Sequence, residues 1–369
     1  MRQDRFKQII SGQDKRAAAC CLRIMLAVPA FFYSLAVRTR NLFYDGGVFK
    51  SHRVNAVVLS VGNITAGGTG KTPLVIWIYN HIKQKSKIKN QNCGCAILTR
   101  GYKTTQNYTD EPAVLAQNCP QAKVIVNPDR LAGAIEAINK FGAEVLIMDD
   151  GFQHRRLARD IDIITIDATL PFGYGRLLPA GLLREPISSI KRADAAVITR
   201  CDQIPDGELN RLEEKLKSVN PQMVIARTIH SPSRAKSIDN LEISLEELKG
   251  KNVFAFCGIG NPDAFLNTIR KLGLNLAGSK IYDDHYHYTD NDISEIYLQA
   301  EQKGADFVIS TQKDWTSACA LFDAHRRKKD VQHRIIPAYL EIKLKFLTAE
   351  DKITQLIENA LAGKITGKQ

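Results

Sequence analysis

The sequence predicts an α/β protein: a parallel-sheet domain of the P-loop NTPase type, a second, smaller α/β domain, and an N-terminal membrane-associated helix. Three observations predict it. Short apolar, β-branched runs alternate with helix-like segments along most of the chain, the pattern of strands covered on both faces. A glycine-rich loop ending in Gly70-Lys71-Thr72 stands between the first of those runs and the helix after it. Ahead of both lies an uncharged stretch at 24–37 with basic residues at either end.

A chain of 369 residues, 44% hydrophobic and 24% charged, can bury two modest cores, and its composition excludes disorder and collagen-like structure. The formal charge of +12 is concentrated at the front, where residues 1–53 hold ten Lys/Arg against three acids. Such a segment suits nucleic acid or an anionic membrane surface, and its neighbour favours the membrane. The run IMLAVPAFFYSLAV at 24–37 has 14 uncharged residues, fewer than the roughly 20 a spanning helix needs. Arg38 and Arg40 follow where a signal peptide would carry small residues for cleavage. With Lys15 and Arg16 before it and Arg38 and Arg40 after it, the segment reads as an uncleaved helix embedded in one leaflet. A buried first helix kinked at Pro29 and a single span are the alternatives.

Further along, 54–61, 96–99, 123–126, 145–148, 161–166 and 195–199 read as strands, with helices at 73–83, 130–141 and 208–219. A second series has strands at 253–257 and 307–310 and helices near 263–272 and 290–303. Residues 231–251 are polar with no clear strand and read as a linker. The expected domains are therefore 1–53, 54–230 and 252–369. Eight cysteines, at 20, 21, 93, 95, 119, 201, 257 and 319, show no metal-ligand or C-x-x-C spacing and read as reduced thiols.

The loop Thr65-Ala66-Gly67-Gly68-Thr69-Gly70-Lys71-Thr72 has the strand-loop-helix setting of a phosphate loop. Glycines let backbone N–H groups turn onto phosphate oxygens, Lys71 neutralises β/γ charge, and the Thr72 hydroxyl suits Mg²⁺. The strict pattern wants glycine where this chain has Thr65. Downstream, the apolar run at 145–148 delivers Asp149 and Asp150, carboxylates placed for the metal; from sequence either could ligate it. Three classes compete. A GTPase wants an [N/T]-K-x-D element, and Thr199-Arg200-Cys201-Asp202 carries Arg where Lys belongs. A partitioning ATPase wants lysine where Ala66 stands. A small-molecule or lipid kinase accommodates both the loop and the N-terminal segment.

The blocks Gly62–Pro73 (GNITAGGTGKTP), 38–46 (RTRNLFYDG), 99–102 (TRGY), 110–112 (DEP), 149–154 (DDGFQH), 171–186 (PFGYGRLLPAGLLREP), 254–262 (FAFCGIGNP) and Asp284-His285 resemble, in order, those of the tetraacyldisaccharide 4′-kinase family of the bacterial lipid A pathway. Small departures stand at Lys103 and Gln312. The resemblance implies a P-loop kinase that moves the γ-phosphate of ATP to the 4′-hydroxyl of tetraacyldisaccharide 1-phosphate, with ATP and Mg²⁺ as cofactors. It implies Asp110 as the base accepting the hydroxyl proton, His285 as its dyad partner, and Lys71 as a catalytic cation. Thr65 to Thr72 would hold the nucleotide, and Thr72, Asp149 and Asp150 the metal. Arg100, Arg130, Gln153, His154, Arg184 and Glu185 would meet the substrate. On residue type alone, Asp110 serves as a helix cap and the arginines as solvated surface groups equally well. The expected partners are the acylated glucosamine disaccharide and the inner-membrane surface on its cytoplasmic face. No nucleic acid and no obligate protein partner are expected.

Overall fold

The computed structural model describes residues 3–88, 94–101, 110–239, 241–284, 286–328 and 335–365. The chain divides into two compact units, the first of residues 1–105, 115–229 and 345–369, the second of residues 106–114 and 230–344.

Unit 1 opens with α1 (Gln3–Ser11) and α2 (Ala17–Asp45). There follow β1 (Val57–Gly62), α3 (Lys71–Ile88), β2 (Cys95–Thr99), α4 (Asp110–Asn118), β3 (Lys123–Val126), α5 (Arg130–Phe141), β4 (Val145–Asp149), β5 (Ile161–Asp167), β6 (Ala195–Thr199), α6 (Asp206–Val219) and β7 (Val224–Ser237). The division between units falls within α4, within β7 and again between residues 344 and 345, inside the last strand. The strand order is β7-β6-β5-β1-β4-β2-β3, parallel at every pairing. β1, β4, β5 and β6 are buried along their whole length. That is why their sequences are continuous apolar runs and not alternating ones. β1 lies between β4 and β5, so the loops leaving the C-terminal ends of the three strands gather at one edge, where parallel sheets bind ligands.

Helix ends follow local chemistry. Asp129 caps α5 by accepting from the N–H groups of Leu131 and Ala132, and Gly142 closes it in the left-handed region at φ 61°.

Unit 2 continues from β7 into β8 (Glu242–Ile243), α7 (Leu245–Leu248), β9 (Asn252–Cys257), α8 (Pro262–Lys271), β10 (Asn275–Ile281), α9 (Asp290–Gln302), β11 (Phe307–Thr311), α10 (Gln312–Lys328) and β12 (Ile336–Phe346). Its strand order is β10-β9-β11-β12-β7, with β8 antiparallel on β7. An aromatic core of Phe254, Phe256, Tyr297, Trp315, Phe322 and Tyr339 fills it.

Two expectations are corrected. The segment 231–251, read as a linker, carries the second half of β7, then β8 and α7, the last opened by a Ser244/Glu247 capping box. Its strand is only half-buried, and so lacks the apolar run that marks a central one. The second domain also does not extend to the C-terminus: residues 345–369, with α11 (Glu350–Ile365), belong to unit 1. There Phe346 packs on Trp77 at 4.6 Å between ring centroids, and Glu358 meets Lys85 at 2.7 Å and His81 at 3.5 Å, fastening the C-terminal segment to α3.

The N-terminal helix is longer than its uncharged stretch. At 29 residues α2 runs about 43 Å, with Pro29 inside it. Its charges are absorbed by protein partners: Arg23 donates to the carbonyls of Ile9 (3.1 Å) and Asp14 (2.7 Å), and Arg40 pairs with Glu185 at 3.3 Å. Tyr33 donates to the Arg184 carbonyl at 2.9 Å, and Asp45 pairs with Arg155 at 2.7 Å. These contacts line one face of α2. The opposite face bares Ile24, Met25, Val28, Phe31, Phe32, Leu35 and Leu42, with Ile24 at 71% exposure.

Glu185, expected at the substrate, is the buried anchor of this arrangement. Its carboxylate is fully inaccessible, accepts from Arg192 at 2.8 and 2.9 Å and from Asn41 at 2.8 Å, and meets Arg40. It faces the protein because four donors converge on it. Breaking a buried pair leaves a charge without its counterpart, at a cost of about 3–5 kcal/mol. Glu185→Ala is therefore expected to lower unfolding free energy by about 3 kcal/mol, measured by urea denaturation.

Candidate phosphate-transfer site

β1 delivers the loop directly. Gly62 ends the strand against the turn after β4: a Cβ there would lie 2.5 Å from both the backbone N and Cβ of Phe152. The Gly151 N–H donates to the Val61 carbonyl at 2.9 Å, tying that turn to the loop's root. Gly67 at φ 116° and Gly70 at φ 87° occupy the left-handed region that glycine tolerates. The block from Leu182 to Arg184 lies alongside, with Ala66 N–H donating to Leu182 O and Arg184 N–H to Ile64 O, both at 2.7 Å.

At the loop's C-terminal end, the Lys71 ammonium lies 3.3 Å from Asp150 Oδ1. Arg184 Nη1 reaches both oxygens of the same carboxylate at 2.9 Å. Burial alone would raise Asp150, but Lys71 and Arg184 outweigh it and hold the carboxyl well below the usual range. Its backbone is left-handed, at φ 55°. Asp149, one residue earlier, is buried at the end of β4. Arg130 is buried too, donating to the carbonyls of Asn127 at 2.7 Å and Asp149 at 3.2 Å, so it fixes the strand end that carries both acids.

Gln153 Nε2 donates to the Asn63 carbonyl at 2.9 Å. His154 is lowered to about 4 by burial first and then by Arg130, with Arg100 and Arg159 adding to the effect and Asp150 opposing it. Its imidazole is thus neutral at neutral pH. Because the folded form binds the proton less tightly than a free imidazole, whose ordinary value is 6.5, the stability this group contributes is full above pH 6.5 and is lost as pH falls toward 4. Between pH 7.5 and 5, wild type is expected to lose about 2 °C more in Tm than His154→Gln, by thermal unfolding at both pH values. Pro128, Asp129, Arg130, Leu131, His154, Arg156 and Leu157 line a cavity of about 370 Å³ beside this turn. Arg100 is exposed at the end of β2.

The Thr72 hydroxyl and the Asp149 and Asp150 carboxylates are hard oxygen donors. They fit Mg²⁺, which takes one or two carboxylates and completes its shell with water and phosphate oxygens. Among the described residues no group of three or more His, Cys, Asp or Glu is gathered.

Sequence reasoning missed the floor of the loop. Thr69 Oγ1 lies 2.6 Å from Thr165 Oγ1 and accepts from Asn63 Nδ2 at 3.0 Å; Thr199 Oγ1 donates to the Thr69 carbonyl at 2.9 Å. Arg200 donates to the Gly68 carbonyl at 3.1 Å and pairs with Asp167. The available signal is Thr199-Arg200-Cys201-Asp202, which in sequence reads as an imperfect guanine-reading element.

In unit 2, Asp314 is buried and held above the usual carboxylate range by that burial. It accepts from Gly258 N–H at 2.8 Å, Tyr288 OH at 2.9 Å and Thr311 Oγ1 at 2.6 Å. The preceding Lys313 pairs with Asp284 at 2.7 Å. Asp110 begins α4; its side chain, and His285 altogether, lie outside the described residues.

Comparison with known proteins agrees with this architecture. A family profile described as tetraacyldisaccharide-1-P 4′-kinase (LpxK) matches residues 22–362. The tetraacyldisaccharide 4′-kinase of Halothermothrix orenii is 35% identical over 84% of this chain and 86% of its own length. That of Syntrophus aciditrophicus is 36% identical over 85% of this chain and 88% of its own. The crystal structure of LpxK from Aquifex aeolicus in complex with ATP is 29% identical, covers 92% of this chain and 99% of its own, and aligns with a TM-score of 0.67. The parallel sheet, the phosphate loop and these matches together make the chain a member of the tetraacyldisaccharide 4′-kinase family.

Proposed function

We propose that the chain transfers the γ-phosphate of ATP to the 4′-hydroxyl of tetraacyldisaccharide 1-phosphate, in lipid A biosynthesis, at the cytoplasmic face of the inner membrane. The observation that carries this reading is the meeting of Lys71, Arg184 and Asp150 at the mouth of the phosphate loop. Two cations and the acid of the β4 turn are thus gathered where a triphosphate would be neutralised. In the reaction the 4′-oxygen forms a bond to the γ-phosphorus as the bond from that phosphorus to the β–γ bridging oxygen breaks. ADP leaves, and the hydroxyl proton passes to Asp110, with His285 as the partner of that base. Lys71 stabilises charge on the transferring phosphoryl group and the departing oxygen. Thr72, Asp149 and Asp150 would hold Mg²⁺, which when bound neutralises charge shared between the β- and γ-phosphates.

The acyl chains explain the bare face of α2. Each buried CH₂ contributes about 0.8 kcal/mol to holding the lipid in its bilayer, so the enzyme must meet its substrate there. Ile24, Val28, Phe31 and Leu35 offer apolar surface on one side of a helix whose other side is fastened to unit 1. That division suits a helix lying in one leaflet better than one surrounded by lipid.

The test is incubation of detergent-solubilised enzyme with γ-labelled ATP and tetraacyldisaccharide 1-phosphate. Label entering the lipid supports the kinase. ATP hydrolysis without labelled lipid would favour a nucleotide switch instead. Sedimentation with anionic vesicles tests the location: Phe31→Asp with Phe32→Asp should reduce co-sedimentation if α2 binds the leaflet.

A further inference from the structure

Three consecutive carbonyls of the phosphate loop each accept a hydrogen bond from a side chain. Gly67 O accepts from Asn63 Nδ2 at 3.4 Å, Gly68 O from Arg200 Nη1 at 3.1 Å, and Thr69 O from Thr199 Oγ1 at 2.9 Å. All three donor residues are buried, Asn63 and Thr199 completely, whereas Gly68 is exposed. In a planar trans peptide the C=O and the following N–H point in opposite directions. Tying the carbonyls of 67, 68 and 69 toward the buried side therefore turns the N–H groups of Gly68, Thr69 and Gly70 toward the open side, where phosphate oxygens would arrive.

The donors are themselves held in place. Arg200 pairs with Asp167 at the end of β5, and its own backbone is left-handed at φ 56°, a conformation that persists in a non-glycine residue only where its surroundings impose it. Asn63 also donates to Thr69 Oγ1, which shares a hydrogen bond with Thr165. Thr165 in turn donates to the Gly62 carbonyl at 3.2 Å. Side chains from β5, β6 and the loop's own root thus form one connected floor.

We propose that Thr199, Arg200 and Asn63 are positioning residues that set the loop's amides for the β- and γ-phosphates before nucleotide arrives. The inference deepens the kinase reading and rests on ATP binding at this loop. A glycine-rich loop left unbraced would have to be ordered on binding, and that entropic cost would weaken the nucleotide. Here the ordering is completed on folding. Arg200 stands where a guanine-reading lysine would stand in a GTPase, and its guanidinium is turned to the loop instead.

The experiment uses full-length enzyme in detergent micelles, with Thr199→Val, Thr199→Ser and Arg200→Gln. ATP affinity is measured by calorimetry, and KM is measured for ATP and for the lipid acceptor separately. Loss of the Thr199 hydroxyl in the valine variant is expected to raise the ATP Kd and the KM for ATP about 3–10-fold, with the acceptor KM unchanged. Thr199→Ser, which keeps the hydroxyl, should restore both. A merely structural role would lower the active fraction, and so kcat, with the KM for ATP unmoved; that result would overturn the proposal. So would a rise in Kd that serine fails to reverse. Failure of the wild type to bind ATP would remove the nucleotide reading itself, and the proposal with it.

Discussion

Lys71→Ala is expected to lower kcat/KM for ATP by about 10²–10³-fold, the loss typical when a group stabilising transition-state charge is removed, while leaving the protein folded. The two effects separate because of what surrounds the ammonium. Lys71 shares Asp150 with Arg184, whose two contacts at 2.9 Å are shorter than the lysine's 3.3 Å. Removing Lys71 leaves the carboxylate paired, and the large cost of an isolated buried charge does not arise. The phosphates, in contrast, lose the cation at the start of α3 that no other side chain replaces in kind. Lys71→Arg should recover little, because a planar guanidinium does not occupy the space of a compact ammonium. Asp150 is held below the usual carboxylate range, so its contribution to stability is present above its unfolded pKa and is lost only as pH falls below that value. The variant's deficit should therefore stay constant between pH 6 and 8. Steady-state kinetics with labelled ATP, alongside thermal unfolding, checks both halves; a deficit below tenfold, or one matched by loss of fold, would contradict the role.

The central strands were legible in the sequence because complete burial writes itself as apolar runs. The strand over 161–166 and the one over 195–199 coincide with β5 and β6 to within a residue. Not every strand with mixed surroundings was legible. β7 carries HSPSRAK through its second half, and its half-buried residues gave neither a run nor a clean alternation. The extent of α2 was underestimated for a different reason. Arg23 and Arg38 bound the uncharged stretch in sequence, but Arg23 donates to the carbonyls of Ile9 and Asp14 and Arg38 to the Ser34 hydroxyl, so neither ends the helix. At the site, residue type pointed to the glycine-rich loop and its lysine, yet could not tell a side chain facing outward from one facing the protein. Glu185 and Arg184 are adjacent in one block. Arg184 meets the Asp150 carboxylate, whereas Glu185 is wrapped by Arg192, Arg40 and Asn41. Arg200 was hidden because its hydrogen-bond partner is one carbonyl of a loop more than a hundred residues away.

Asp110→Asn is expected to lower kcat by about 10²–10⁴-fold, the range of a lost general base, with KM for ATP nearly unchanged. A sugar hydroxyl has a high pKa and attacks phosphorus effectively only if its proton is accepted as the bond forms. Asparagine keeps the shape and cannot accept it. Asp110 is the first residue of α4. An aspartate is ordinarily ionised at neutral pH, so a base of this type needs no raised pKa. Activity should fall on the acid side as this carboxylate is protonated, and that acid limb should disappear from the residual rate of the asparagine variant. If His285 acts through Asp110, the losses from His285→Ala and Asp110→Asn will not multiply, because removing either disables the same proton transfer. A double variant no slower than Asp110→Asn alone is the expected result. Fully multiplicative losses would assign the histidine an independent task, such as binding the acceptor, and the KM for the lipid would then rise with His285→Ala.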